Sequence, residues 1–187
     1  MQLLEGKNVN LKIVEKEDLP LLTEWLNTPG FLGEFMWFPQ QQSRVEIEKE
    51  YDNPPHETKQ FFIEKKDGSK IGWMGHFLHG NLLEIFYYLL SSERGKGYGT
   101  EAAQLMGDYL FLSQNIVRVQ AHTDVRNVAS QKVLEKAGFK KEGVVRKSLF
   151  TRGEWRDFYL YSILREEWKE PKILTKTAKN DSSKEGV

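Results

Sequence analysis

Cysteine is missing from all 187 residues. A disulfide, a thiolate nucleophile and a cysteine metal site are thereby excluded. Net charge is missing as well: 27 lysines and arginines face 27 aspartates and glutamates. Such a balance leaves no general nucleic-acid footprint, and no nucleic-acid partner is expected. Long apolar runs are also absent. The start, Met1-Gln2-Leu3-Leu4-Glu5-Gly6-Lys7, lacks the apolar core of a signal peptide, and no stretch resembles a membrane span. The expectation is a cytoplasmic protein with no membrane partner. What is present is ordinary: 39% hydrophobic and 29% charged residues, in a chain that suits one domain with a real core.

Periodicity divides the chain. Asn8 to Val14 alternates as a strand, and Lys16 to Asn27 follows as an amphipathic helix with Leu19, Leu22, Trp25 and Leu26 on one face, ended by Thr28-Pro29-Gly30. The connection from Phe31 to Gln42 is unusually aromatic. Ser43 caps a second helix carrying Val45, Ile47 and Tyr51, with Glu46 placed to complete a capping box. Gln60–Glu64 and Lys70–Leu78 read as a hairpin around Lys66-Asp67-Gly68-Ser69. Leu82 to Leu90 is a buried strand, and a helix runs through Phe111. Ile116–Thr123 is another strand, Ala129–Ala137 a short helix, and Phe139–Phe150 with Trp155–Leu164 a final hairpin around Arg152-Gly153-Glu154. The order β-α-α-β-β-β-α-β-α-β-β predicts one α/β domain on a mixed sheet (α+β in layout), over residues 1–168. The end of the chain, from Glu166, is polar and expected to fray, with residues 169–187 set apart as a tail.

The most informative stretch is Arg94-Gly95-Lys96-Gly97-Tyr98-Gly99-Thr100, between the Leu82–Leu90 strand and its helix. Glycines let backbone approach closely, and N–H groups at a helix N-terminus face an anion with the macrodipole behind them. A strand, a Gly-rich turn and a helix make a phosphate cradle, so the expected ligand carries a diphosphate. A Walker A loop needs Ser or Thr after Gly-Lys, but Gly97 follows Gly95-Lys96. A dinucleotide fingerprint needs G-x-G-x-x-G, and the spacing here is wrong. The pattern R/Q-x-x-G-x-G/A fits without a mismatch.

Together with Asn127-Val128-Ala129-Ser130-Gln131-Lys132-Val133-Leu134-Glu135-Lys136-Ala137-Gly138-Phe139, this turn resembles the GCN5-related N-acetyltransferase (GNAT) family, over roughly Asn8 to Leu164. Within it the chain looks most like the branch that acetylates ribosomal-protein N-termini. The final hairpin, Val145 to Asp157, shares that likeness. The resemblance implies a mostly antiparallel sheet in which two parallel strands, Leu82–Leu90 and Ile116–Thr123, splay apart around acetyl-CoA. The backbone of Tyr88 and Leu89 would bind the pantetheine arm, and Asn127 would contact the same arm. The amides from Gly95 through Lys96, Gly97, Tyr98 and Gly99 to Thr100 would hold the diphosphate, with Arg94 at the mouth.

The implied chemistry is direct attack of a neutral amine on a thioester in a ternary complex, with no cysteine to carry an acyl intermediate. An amine of pKa about 8 to about 10.4 is largely protonated at neutral pH and needs a base. Glu84, an acid inside an apolar strand, is the candidate base, with desolvation expected to raise its pKa; a core hydrogen bond is the competing reading. Many relatives carry a tyrosine donor where this chain has Leu134. The likeness to the ribosomal-protein branch, where a corresponding serine takes that part, implies Ser130 as the donor to the departing thiolate, with a water as the alternative. His56, His76, His79 and His122 show no metal-ligand spacing, and no metal is expected. His76, on the strand before the cleft, is the accessory-base candidate. The aromatic loop, with Glu34, would border the acceptor. Trp73, Trp155 and Tyr159 would pack the sheet, and Tyr159 or Tyr161 could face the acceptor. The acceptor stays open among a peptide N-terminus, a polyamine, an aminoglycoside and another small amine, as does the choice of monomer or homodimer. The rival from a different class is a catalytically silent acyl-CoA-binding sensor on the same fold.

Overall fold

The computed structural model describes residues 4–35, 41–80, 82–169, 171 and 173, apart from the side chains of residues 29 and 32. Trp37 and Phe38 of the aromatic connection, and nearly all of the tail, lie outside the described residues.

The first alternating stretch becomes β2 (Val9–Ile13), preceded by a two-residue strand, β1 (Leu4–Glu5). A 3-10 turn at Lys16–Asp18 leads into α1 (Leu19–Asn27), which buries Leu19, Leu22, Trp25 and Leu26. The helix ends where Thr28-Pro29-Gly30 predicts, with Thr28 as its C-cap. Pro29 then opens a separate short turn, α2 (Pro29–Leu32), at a position where the missing N–H costs nothing. Helix α3 (Arg44–Asp52) begins at the capping box: the Glu46 N–H donates to Ser43, and the Ser43 N–H donates to the Glu46 carboxylate.

Strands β3 (Lys59–Lys65), β4 (Lys70–His79) and β5 (Leu82–Leu89) form an antiparallel meander. Helix α4 (Tyr98–Ser113), strand β6 (Arg118–Asp124) and helix α5 (Val128–Ala137) follow. Strands β7 (Lys140–Thr151) and β8 (Glu154–Leu164) make the final hairpin. The eight strands lie in the order β1-β2-β3-β4-β5-β6-β8-β7. Relative to the expected order, β1 and α2 are additions. β5 and β6 form the parallel pair, and they share register only at Leu83↔Val119 and Glu84↔Gln120.

Both faces of the sheet are covered, as period-2 alternation requires. Phe61 and Ile63 of β3 face a core with Leu105, Met106 and Leu110 of α4, while Phe62 faces Leu22 and Trp25 of α1 on the other side. Trp73 stacks on Tyr88 and meets Phe86 edge to face, as a sheet residue should. Trp155 is 56% exposed and meets only the edge of Phe150, its cross-strand partner, among the described rings. Tyr161 is fully buried, its hydroxyl donating to Glu135, and so does not face an acceptor.

Two polar devices tie α4 in place. The Glu101 carboxylate accepts from Asn8 N at 2.7 Å and Asn8 Nδ2 at 2.8 Å, fastening the β1–β2 turn to the start of the helix. At the other end, Arg165 donates to the carbonyls of Phe111, Gln114 and Ile116 at 3.0, 2.6 and 2.6 Å. The chain beyond β8 is therefore not frayed where it begins. Trp168 packs on Phe111, and its Nε1 donates to buried Asp108 at 2.7 Å, as does the Ile173 N–H at 3.1 Å.

Arg165→Ala strips charged donors from three carbonyls at once and is expected to lower stability by about 2–3 kcal/mol in urea unfolding. Arg165→Lys should recover little of this, since an ammonium cannot reproduce the planar fork.

Candidate active site

The divergence of β5 and β6 beyond Glu84 opens a cleft of about 760 Å³. The Gly-rich turn forms one end of it. Gly97 is the residue before α4 and has φ 89°, while Gly95 has φ 77°. Both lie in the left-handed region that side chains disfavour. A Cβ placed on either would meet no atom within 4 Å, so the space above them is open to a ligand. The first N–H groups of α4 have no partner within the helix, and Gly97, Gly99 and Thr100 at that end line the cleft.

Of the cradle residues, Arg94, Gly95, Gly97, Gly99 and Thr100 line the cleft, joined by Tyr88, Leu89, Asn127 and Ser130. Lys96 and Tyr98 do not. Lys96 pairs with Glu93 on the exposed side, and the Tyr98 side chain packs against the core. Arg94 is more than a charge at the mouth: its Nε donates to the Leu89 carbonyl at 3.0 Å and its Nη2 to the Phe31 carbonyl at 3.2 Å. Asn127 caps α5, its Oδ1 accepting from the Ser130 N–H at 3.1 Å. Lys132 and Lys136, one turn apart on α5, also line the cleft and add cations facing the cradle. Nothing but their i, i+4 spacing marks them in the sequence.

Glu84 is placed differently from a lone cleft carboxylate. Its side chain is 1% exposed and accepts from His122 Nδ1 at 2.8 Å and His79 Nδ1 at 2.9 Å. Gln120 Nε2 donates to it at 3.0 Å. A carboxylate only accepts, so both imidazoles carry hydrogen on Nδ1, which leaves Nε2 as the acceptor nitrogen whenever the ring is neutral. Burial pushes the Glu84 carboxyl up, but the hydrogen bond and charge of His122, with Gln120 and His79, outweigh it and hold the pKa below the usual glutamate value. The expected upward shift is thus reversed. It is His122, not Glu84, that lines the cleft, with Ala121 and Thr123 beside it.

His79, Glu84 and His122 also present ligand atoms within 4.8 Å of one another, a grouping that no sequence spacing announced. His79 and His122 each hydrogen-bond Glu84, one to each of its oxygens. His76 is no accessory base. It is 2% exposed, neither ring nitrogen makes a hydrogen bond, and it sits by the rings of Phe61 and Tyr109. Burial, assisted by the charge of Lys59, lowers its pKa to about 4. On the opposite wall, Gly33, Glu34 and Phe35 border the cleft, held to the final hairpin by Arg152 Nη2 donating to the Gly33 carbonyl at 2.8 Å.

Residues 8–140 match the acetyltransferase (GNAT) domain family. The chain belongs to the GNAT family. A Bacillus subtilis (strain 168) protein named "Probable N-acetyltransferase YjcK" is 36% identical over 127 residues, 66% of each chain, so the match stops short of that relative's full length. The spermidine N(1)-acetyltransferase of Escherichia coli K12 is 27% identical over 166 residues, covering 86% of this chain and 88% of that one. Among solved structures, RimL, the ribosomal L7/L12 alpha-N-protein acetyltransferase in complex with coenzyme A, superposes with a TM-score of 0.77 at 19% identity, over 87% of this chain and 98% of its own. That likeness shows the GNAT fold: one open mixed sheet with a splayed parallel pair.

The buried imidazole gives a test of stability. His76 is neutral in the folded protein down to about pH 4 but titrates near 6.5 when unfolded. The unfolded state therefore binds the extra proton in that window, and stability falls as pH drops from 6.5 to 4, by about 3 kcal/mol from this group. His76→Leu should flatten that part of the pH–stability curve measured by chemical denaturation.

Proposed function

We propose that this protein transfers the acetyl group of acetyl-CoA to a primary amine by direct attack within a ternary complex. The observation that carries the reading is the position of His122. It lies on the cleft wall, backed by a buried carboxylate, with the glycine cradle at the cleft's far end. The CoA diphosphate would sit on the amides from Gly95 to Thr100, with Arg94, Lys132 and Lys136 balancing its charge. The pantetheine arm would run along Tyr88 and Leu89 toward Asn127, where the diverging strands leave room for it.

At the thioester, an ammonium must first lose a proton. An imidazole whose Nδ1–H is held by a carboxylate is oriented to accept that proton at Nε2, and the carboxylate stabilises the imidazolium that results. His122 is thus the base and Glu84 the group behind it. The nitrogen then bonds to the acetyl carbon, the carbon–sulfur bond breaks, and Ser130 donates a hydrogen bond to the departing thiolate. The acceptor is a primary amine; relatives named for spermidine and for a ribosomal protein support both a polyamine and a protein N-terminus. The cleft border formed by Gly33, Glu34 and Phe35 is where it would enter.

Thiol release over a panel of amines and peptides checks the chemistry. His122→Gln is expected to lower kcat by about a hundredfold or more while leaving acetyl-CoA affinity intact. Glu84→Gln should lower it less, since the imidazole remains; full activity in His122→Gln would remove the base assignment. Gly97→Val, which forces a β-branched residue to φ 89° and fills the cradle, should abolish CoA binding in calorimetry. Retained affinity there would overturn the phosphate-cradle reading, and CoA binding without turnover of any amine would favour the sensor.

A further inference from the structure

Leu134 is fully buried, so helix α5 brings no hydroxyl to the cleft at that position. A phenol reaches the cleft from the opposite side. Tyr87, on β5, lines it, and its Oη lies 2.8 Å from Ser130 Oγ and 3.3 Å from the Ser130 carbonyl. The divergence of β5 from β6 is what allows a strand side chain to touch the first turn of α5. Ser130 is otherwise fixed by its own N–H, which donates to Asn127 Oδ1.

We propose that Tyr87 is a positioning residue for Ser130: its O–H donates to Ser130 Oγ and turns the serine hydrogen toward the sulfur of bound CoA. The 2.8 Å contact is the shorter of the two, and a phenol is a stronger acid than an alkyl hydroxyl, so the shared hydrogen belongs to Tyr87. Burial raises the phenol pKa, with the neighbouring Tyr161 adding to it against the lowering effect of Ser130, which favours the neutral, donating phenol. When the carbon–sulfur bond breaks, the electron pair stays on sulfur. Ser130 stabilises that thiolate by a hydrogen bond, and the thiolate takes its proton from solvent as CoA departs. Two hydroxyls in series thereby polarise one another toward the developing charge. The inference rests on CoA occupying this cleft.

The thiol of bound CoA reports the pair directly. Its titration, followed by thiolate absorbance, is to be compared in the unmodified protein, Tyr87→Phe, Ser130→Ala and the double variant. The expected result is a bound thiol acid dissociation constant lowered about tenfold in each single variant, and no lower in the double. In the kinetic counterpart, Tyr87→Phe lowers kcat about tenfold with KM for acetyl-CoA unchanged, and adds nothing to Ser130→Ala. Tyr87→Phe that binds CoA normally but leaves the thiol titration unmoved would overturn the proposal, as would additive effects in the double variant. Failure of the unmodified protein to bind CoA is a separate outcome: it removes the acetyltransferase reading and this inference with it.

Discussion

Two strands that start as neighbours and then part are the condition for everything else in this molecule. β5 and β6 are joined through Leu83, Glu84, Val119 and Gln120, and beyond that short seam they diverge. A parallel pair normally continues its ladder. Interrupting it leaves main-chain groups facing a gap, which favours an extended ligand that can stand in for a strand. The seam also fixes where Glu84 and His122 sit. Glu84 occupies the last paired position, so its carboxylate is buried where the sheet is intact, while His122, two residues past Gln120 on the same face, stands where the sheet has opened.

The electrostatics follow from that placement. A buried carboxylate without donors would be driven toward its neutral form. Here three donors converge on two oxygens, and the group stays an anion. It acts on the cleft through His122, whose ring it orients. His76, only a few residues before His79 on β4, received no such donors or acceptors and is a neutral core residue. Partners decide the role of each histidine.

The parts of the fold written in short local patterns were legible from the sequence. The capping box at Ser43 and Glu46 and the glycine turn before α4 each depend on residues a few positions apart. The parallel pair was legible only through the resemblance that named it. What could not be read was any contact created by register. His79 reaches Glu84 across a hairpin, His122 reaches it across the parallel seam, and Tyr87 meets Ser130 across the open cleft. Burial of Glu84 was foreseeable from its apolar neighbours, but the donors that reverse its pKa shift came from two other strands. The stop at Thr28-Pro29-Gly30 was legible too, and only the short turn that Pro29 opens beyond it was not.

One detail at the edge of the sheet reaches further than its position suggests. Glu101 stands in the first turn of α4, among the amides that face the cradle, where a free carboxylate would oppose an incoming phosphate. Asn8 draws that charge away from the cradle and toward the β1–β2 turn. The arrangement depends on a bare backbone at Gly6, where an added methyl would lie 2.4 Å from Glu101 Oε1 and 2.8 Å from the Val9 carbonyl. A single carbon at residue 6 would force the carboxylate or the strand to shift. The charge beside the glycine turn is in this way set partly by a residue that does not line the cleft.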